Sequence, residues 1–423
     1  MRGKRFSRRS RRIFSPLFPL FLFLVFLVAA WGLCNFAGAL PPTVGQGGAS
    51  TLTQSEADEA ESAQEVQEEL TENIESLIED LDLEELQAYL DSLEEFSSWD
   101  VADKIMELID GGTLDYESVF AALFSLLTDS LTDMLPAFGL ILAIALLCGI
   151  LNTVKTGFLQ DSTAEIIFFV CYAAVLVVLL SQTVAVFTLC FNAMKDMRTQ
   201  MEIIFPILLT LMAAGGGTVS ATVYQPAVAF LSGGVSEILT GIVMPFTVVI
   251  VVLNMVERLN SNVKLKGFIS LFKSANKWLI GLSVAVFGIF LSVQGLTSAT
   301  YDGISLRAVK YAISNSVPIV GGFISGGFDL VLAGSTLIKN SVGMIGIFVL
   351  LSGVVQPLVT VAGFSLGLRL TAAVCEPIGD ERISGFLTGL SESMGFLVAC
   401  LLCMAFLYFL TVLLLICSAG VII

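Results

Sequence analysis

The sequence predicts an all-α, polytopic membrane protein, and three observations lead to this prediction. Hydrophobic residues make up 56 % of the chain and charged residues only 14 %, whereas soluble domains carry about a quarter charged residues. Apolar runs of about 20 residues, enough to cross a bilayer as a helix, recur after residue 133. Acidic residues crowd instead into residues 40–133. We therefore expect about six full spans, two further segments broken by Gly and Pro, and an acidic helical segment outside the cytoplasm.

The first 39 residues have the organisation of a secretory signal peptide. Residues 1–12 carry seven basic side chains, an apolar run covers residues 17–30, and Ala37, Gly38 and Ala39 supply the small residues of a cleavage site. We expect cleavage after Ala39, with an uncleaved signal anchor as the alternative. Either way, residues 40–133 are delivered to the extracytoplasmic side.

Residues 40–133 carry 25 Asp and Glu but a single basic residue, Lys104. This charge excludes nucleic-acid binding by the segment, because phosphate contacts require Lys and Arg. Residues 41–65 are polar and are expected to be disordered. Helical spacing then places apolar residues on one face: Leu70, Ile74, Ile78, Leu81, Leu86, Leu90 and Leu93. A further helix is predicted from Thr113. Docking on a partner and a solvated helical cap are both open.

Six apolar runs are long enough to span the bilayer: 134–154, 166–187, 238–256, 278–296, 341–368 and 394–416. Two other apolar regions are interrupted. Pro206 and two glycine clusters break 203–234, and Pro318 with several glycines breaks 317–334. Re-entrant hairpins and short paired helices both fit these regions, because irregular backbone is tolerated at membrane depth only where protein or water covers it.

Basic loops set the expected orientation. The loop 257–277 carries five basic residues against Glu257, so the positive-inside rule places it in the cytoplasm. The same rule places 369–393 there. Both assignments agree with an extracytoplasmic segment 40–133.

Weak internal similarity suggests a duplicated unit. Pro206 and Pro318 are 112 residues apart, as are Pro245 and Pro357. The expected organisation is a first helical pair at 134–190, one membrane repeat unit at 191–298 and a second at 299–423. The glycine pairs after Ser232 and Ser325 lie only 93 residues apart, outside this register.

Two acidic residues lie in apolar surroundings, Glu237 and Asp329, each shortly after a glycine pair. A carboxylate within a membrane is costly and is therefore a functional candidate. It could line a water-filled path or sit at a half-helix N-terminus. The alternative is an interfacial position for both.

Other candidates are structural or peripheral. Gln225 and Gln356 each precede a proline, and their side-chain amides could satisfy backbone groups that a helix break leaves free. Pro245 and Pro357 are further candidates for a structural role or for lining a path. A basic amphipathic stretch is expected on the cytoplasmic lipid surface, or on a partner, through Lys264, Lys266, Lys273 and Lys277.

The composition argues against an enzyme. The chain has no His, which excludes His-based triads and His metal ligands. Eight Cys occur, none of them in residues 40–133, and Cys400 and Cys403 lie in an apolar run, where burial is the expected role. A nucleotide-binding P-loop is absent from the sequence. We expect neither a catalytic site nor a cofactor or metal.

Several stretches together resemble the stage III sporulation protein AE family of endospore-forming bacteria, over roughly residues 130–420. The most specific are FNAMKDMR at 191–198 leading to Pro206, LKGFISLFKSANKW at 265–278, AVKYAISNSVP at 308–318 and CEPIGD at 375–380. The acidic stretch 44–75 looks like an addition to the family pattern.

The resemblance implies a role in endospore formation. Family members belong to the multi-protein apparatus that joins the mother cell to the engulfed forespore and supports late forespore gene expression. The expected function is a non-enzymatic part of a channel-like or secretion-like complex in the mother-cell membrane. Expected partners are the lipid bilayer and other proteins of the stage III complex, and self-association is compatible with this hypothesis.

Two other functions are kept open. A secondary transporter would move a small solute or ion past Glu237 and Asp329. A membrane scaffold or sensor would act through the acidic outer segment and use its spans only as an anchor.

Overall fold

The computed structural model describes residues 69–79, 81–93, 96–110, parts of 128–147, 161–259, 264–316, 321–377 and 381–418. Every regular element among these residues is helical, so the all-α prediction is confirmed for this part of the chain. Three short helices come first, α1 at 69–79, α2 at Glu84–Asp91 and α3 at Val101–Ile109. Long segments follow, α4 at Asp161–Ala214, α5 at 218–259, α6 at Lys266–Ser316, α7 at Gly321–Cys375 and α8 at Glu381–Cys417.

The short helices bury the apolar face that the sequence spacing indicates. Ile74 and Ile78 of α1 and Leu86 and Leu90 of α2 are buried in the same core as the long helices. Asp100 caps α3, because its carboxylate accepts hydrogen bonds from two backbone N–H groups of the first turn. The predicted leader and the helix expected from Thr113 lie outside the described residues.

A three-glycine turn separates α4 from α5. Gly216 has a φ of 87°, a left-handed conformation that residues with a Cβ rarely adopt. The Gly217 N–H donates to the Met212 carbonyl at 2.9 Å and so satisfies a carbonyl at the end of α4. The turn therefore needs glycine at 216 and reverses the chain within three residues.

The long helices alternate in direction. Tyr172 at the start of α4 donates its hydroxyl to the Met255 carbonyl near the end of α5, whereas Arg198 meets Glu237 farther along both helices. These pairs make α4 and α5 antiparallel. We call the end with Arg258 the basic end, and the end with the glycine turn the turn end.

α7 and α8 form the centre of the bundle. They pack antiparallel, with Ser365 against Ser391 near the basic end and Gly343 against Ile416 near the turn end. α8 runs parallel to α4, because Tyr172 contacts Phe386 and Phe205 contacts Tyr408. α6 lies beside α5, as the contact between Phe230 and Phe290 shows. The described helices therefore share one apolar core.

Four helices among the described residues are long and apolar enough to cross a membrane: Tyr172–Ala214, Thr218–Arg258, Leu330–Cys375 and Arg382–Cys417. They contain the predicted spans 166–187 in large part, 238–256, 341–368 and 394–416. The predicted span 278–296 lies in α6, and 134–154 is described only in part.

The structure shows one of the breaks predicted within 203–234. The three glycines at 215–217 form the turn between α4 and α5, whereas Pro206 lies inside the continuous helix α4. Gly233 and Gly234 lie in a π-helical segment of α5. The glycines at 321–334 lie inside α7, while Pro318 is outside the described residues.

The proposed repeat boundaries after residues 190 and 298 both fall inside continuous helices, α4 and α6. Pro245 and Pro357 both lie in helices that run toward the basic end. The duplication itself stays a prediction.

Replacing Gly343 by Val is expected to lower the thermal unfolding temperature in detergent. A Cβ at this position would overlap the Ile416 side chain, and such overpacking costs about 1–3 kcal/mol. The matched control is Gly281→Val in α6, where a Cβ meets nothing within 4 Å. Equal unfolding temperatures for the two variants would contradict the α7–α8 contact.

Candidate functional site

The exposed residues of α4 and α5 change character abruptly along the helices. Large apolar side chains point outward on α4 up to Phe191 and on α5 from Ile242 onward. Between them, over 192–241, every exposed residue is charged, polar, Pro, Ala or Gly. The change occurs at the same height on both helices, near the contact of Arg198 with Glu237. On α4 and α5 this change is the pattern that a boundary between lipid and water would produce, whereas the exposed apolar face of α6 continues past the same height through Val286 and Ile289.

The apolar band has the thickness of a membrane. Its exposed members on α4 run from Phe169 to Phe191, about 33 Å at 1.5 Å per residue. On α5, Glu237 and Glu257 bracket the band and lie about 30 Å apart along the helix, which matches the hydrocarbon core of a bilayer. α4 as a whole is about 80 Å long, so its turn-end part extends beyond the lipid.

Charged residues lie at this boundary. The Arg198 guanidinium contacts Glu202 at 2.9 Å and Glu237 at 3.4 Å, and all three side chains are substantially exposed. Exposed ion pairs of this kind contribute little stability, about 0–1 kcal/mol. These ion pairs instead indicate the environment at this height, because a guanidinium with two carboxylates requires water or headgroups around it.

The structure does not bring the predicted site residues together. Glu237 is exposed at the boundary. Gln225 is exposed on the turn-end part of α5, and Gln356 is exposed on α7. Pro245 is exposed and Pro357 is buried. Asp329 belongs to α7, but its side chain lies outside what the structure describes.

The short N-terminal helices dock on the turn-end half of the bundle. Trp99 stacks on Phe348 of α7, with ring centroids 5.7 Å apart, and Phe96 meets the same ring edge-on. Ile74 and Leu77 of α1 lie against Gly334. The acidic segment is therefore a packed part of the bundle over its described helices, with its carboxylates on the outside.

One buried polar contact fixes this docking. The Gln200 amide of α4 donates to the Tyr89 hydroxyl of α2 at 2.9 Å. Burial raises the pKa of the Tyr89 phenol, the Asp196 charge raises it further, and the hydrogen bond from Gln200 opposes the shift. The phenol therefore stays protonated at neutral pH, and its contribution to docking is lost only as the pH rises above about 10.

Sequence reasoning missed Lys339. Its side chain is fully buried in α7, and its ammonium donates to the Ile416 carbonyl in the last turn of α8 at 2.9 Å. A cation at a helix C-terminus is favourable, because the last carbonyls carry partial negative charge. A lone Lys within the apolar stretch 331–350 was the signal that could have identified it.

The basic end is held by polar contacts between helices. The Arg369 guanidinium donates to the Ser391 hydroxyl at 2.9 Å, and Ser391 also contacts Ser365. The Arg258 side chain lies on Gly385 of α8, where only a glycine leaves room for it. These contacts join the ends of α5 and α7 to the start of α8.

The four predicted surface lysines do not behave alike. Lys273 pairs with Glu392 of α8 at 2.8 Å and so helps to hold α6 against the bundle. Lys264, Lys266 and Lys277 are exposed. The stretch that contains them is the start of the 51-residue helix α6, and not a separate helix. Phe272 in this stretch packs on Phe246 of α5.

The described residues show no group of three or more Cys, Asp or Glu side chains that could hold a metal ion. Cys400 and Cys403 are free thiols buried in the core. The helical bundle has charged residues at the boundary and aromatic packing under the docked helices. These features suit a protein that spans a bilayer and binds other proteins.

The fold defines a class: a multi-pass helical membrane protein whose exposed surface on α4 and α5 changes from apolar to polar along each helix. Residues 99–420 match the family described as stage III sporulation protein AE. The stage III sporulation protein AE of Bacillus subtilis (strain 168) is 26 % identical over 308 residues, which cover 73 % of this chain and 77 % of that protein. No solved structure matches.

The chain therefore belongs to the stage III sporulation protein AE family, as its sequence stretches indicated. Membership supports a role in stage III of sporulation.

Trp99→Ala is expected to loosen the docked helices. The half-buried indole loses its stacking on Phe348, which we estimate at about 2 kcal/mol or more. Limited proteolysis of the purified protein should then cut within 69–110 faster than in the wild type. Trp278→Ala is the matched control, because Trp278 is 72 % exposed on α6 and contacts none of these helices. Equal cleavage of all three proteins would contradict docking through Trp99.

Proposed function

We propose that this chain is a non-enzymatic membrane component of a sporulation-specific channel or secretion-like complex that links mother cell and forespore. The single observation that carries the proposal is the boundary at residues 191–192 and 241–242. It divides each of two long helices into a lipid-facing part and a water-facing part of similar length. A protein that served only as an anchor would not need helices about twice as long as the bilayer is thick.

The water-facing part supplies a rigid platform for other proteins of such a complex. It comprises 192–241, the beginning of α7, the end of α8 and the docked helices α1–α3. The docked helices expose an acidic surface, whose members include Glu72, Glu75, Glu85, Asp103 and Glu107. This charge disfavours adsorption on anionic lipid and leaves the platform free for protein contacts.

The orientation follows from the basic end. Arg258, Lys264 and Lys266 lie at or just after the end of α5, and basic residues mark the cytoplasmic side. The platform then faces the space between the two membranes. The exposed Lys264 and Lys266 fit the headgroup region of the cytoplasmic leaflet. Lys277 and Trp278 lie instead near the other edge of the apolar band, because the neighbouring Asn276 donates to Thr247 of α5.

A second candidate is a scaffold that acts through its outer segment. The specific observation in its favour is the docking of α1–α3 by Tyr89 and Trp99, which presents the acidic surface in a fixed position. A scaffold does not need the boundary carboxylate. Neutralising Glu237 together with Asp329, the two acidic residues that the sequence analysis singled out, therefore separates the two functions.

The paired substitution Glu237→Gln with Asp329→Asn is expected to reduce heat-resistant spores about tenfold or more at normal protein abundance, because the proposed complex would use the exposed carboxylate beside Arg198 as a contact for a partner or a passing solute. The measurement is a spore count beside an immunoblot of the membrane fraction. Glu202→Gln is the matched control, since it removes the other carboxylate of Arg198. Unchanged spore counts for the pair would favour the scaffold.

Cysteine labelling tests the boundary and the orientation together. In a variant lacking all eight native Cys, Gln225→Cys and Thr210→Cys are expected to react with a membrane-impermeant maleimide in intact cells. Lys266→Cys should react only after permeabilisation, because it lies at the cytoplasmic surface. Val249→Cys should stay unlabelled in both cases, as it faces lipid. Labelling of Lys266→Cys from outside would invert the proposed orientation, and labelling of Val249→Cys would move the boundary.

A further inference from the structure

Two π-helical segments interrupt α5 at the height of the boundary. They cover Phe230–Val235 and Leu239–Val243, with a single α-helical turn, Ser236–Ile238, between them. The Ser236 N–H donates to the Leu231 carbonyl and the Met244 N–H to the Leu239 carbonyl, both five residues back. Each π segment holds one residue more than an α-helix of the same rise, and such bulges are frequent at functional sites. The α-helical turn 236–238 is therefore separated from the rest of α5 by a π-helical segment on each side.

Side-chain hydroxyl and amide groups donate hydrogen bonds to backbone carbonyls in and beside the π-helical segments. The buried Ser236 hydroxyl donates to the Leu231 carbonyl at 3.3 Å, and the Thr240 hydroxyl donates to the Ser236 carbonyl at 2.8 Å. At the end of the second segment, the Val243 carbonyl accepts from the Thr247 hydroxyl at 2.8 Å and from the Asn276 amide of α6. These bonds compensate for weakened backbone geometry and let the bulges persist.

Glycines leave the segments little intrinsic preference for one register. Gly233 and Gly234 lie in the first segment and Gly241 in the second, and glycine is among the weakest helix formers. A Cβ on Gly233 would meet nothing within 4 Å, whereas one on Gly241 would meet the Glu237 carboxylate at 2.8 Å. The Glu237 side chain thus lies across Gly241 while it reaches Arg198.

We propose that the turn 236–238 is a register switch. If the extra residue of one π segment passes to the other, the turn moves by one residue, about 1.5 Å along the axis and about 100° around it. The flanking parts of α5 keep their packing, because the total number of bulged residues is unchanged. In the second register, Glu237 leaves Arg198 and takes the place of Ile238, which packs partly buried against the core.

The burial pattern allows this second register. Val235, Ser236 and Leu239 now occupy the buried positions. A shift by one residue would place Gly234, Val235 and Ile238 there, so small or apolar residues again face the core. Ser236 would move to the exposed position of Glu237, which suits a hydroxyl. Both registers thus place small or apolar residues at the three buried positions, as a two-state element requires. The second register also moves the Glu237 carboxylate to the partly buried position of Ile238, so it is the less stable of the two when no partner is bound.

The switch lies where the water-facing platform meets the lipid-facing band. A partner that contacts Arg198 or Glu237 on the platform would favour one register, and the turn would then present a different residue to the core of the band. The proposed function assigns the chain to a complex, and the register switch adds a turn of the chain that changes its position.

Hydrogen exchange of the intact protein in detergent tests the switch directly. Amides of 230–243 are expected to exchange about tenfold or more faster than the helix-bonded amides within 218–228, which are those from Thr222 onward except Pro226. Exchange in 230–243 as slow as in 218–228 would overturn the proposal.

Deletion of Gly233 together with Gly241 provides the second test. It removes one residue from each bulge, so α5 becomes an uninterrupted α-helix with unchanged flanking faces. We expect exchange in this segment to fall to the level of 218–228, and spores to be lost at normal abundance. Gly233→Ala, which keeps the residue count, should sporulate normally. Full sporulation of the double deletion would overturn the switch, and if that variant fails to accumulate, the wild-type exchange comparison decides.

Discussion

The change of solvent along single continuous helices is the constraint on which the rest of this structure depends. α4 and α5 each pass the boundary as one helical segment, and their backbone hydrogen bonds are satisfied in both media because they are internal to the helix. What changes on both helices is the outward face. Exposed Val, Leu and Phe give way to Thr, Gln, Glu and small residues, while the inward face stays predominantly apolar. One core can therefore run through both media.

A core of this length must be closed at its water-facing end, and the N-terminal helices supply part of that closure. In lipid, apolar side chains on the outer face meet acyl chains. Beyond the boundary, the exposed surface of α4 and α5 is polar or small, while α6 still exposes Val286 and Ile289. Ile74, Phe96 and Ile105 join the buried cluster, and Trp99 covers Phe348. The acidic segment thus has a structural role on its apolar side, and its carboxylates are left for solvent or partners.

Buried polar groups set the contacts between helices, because the hydrophobic effect does not drive association in lipid. Ser365, Arg369 and Ser391 join α7 to α8 at the basic end, and Lys339 joins them at the turn end. The glycines at 343, 385 and 389 let neighbouring helices approach closely. The two π segments of α5 lie between these fixed ends, where a local change of register disturbs neither of them.

The amino-acid sequence by itself determined the helical membrane class, the family and four of the apolar runs, because period, length and charge are local properties of the chain. It also placed Glu237 near a membrane boundary as one of two alternatives. It could not show that 203–214 and 218–234 belong to α4 and α5, or that 321–334 belongs to α7, because Gly and Pro have low helix propensity and only neighbouring helices override it. Tertiary structure alone decided that Lys273 meets Glu392, that Lys339 meets Ile416 and that Tyr89 meets Gln200. Each of these pairs joins residues at least 77 positions apart, and nothing in local spacing connects them.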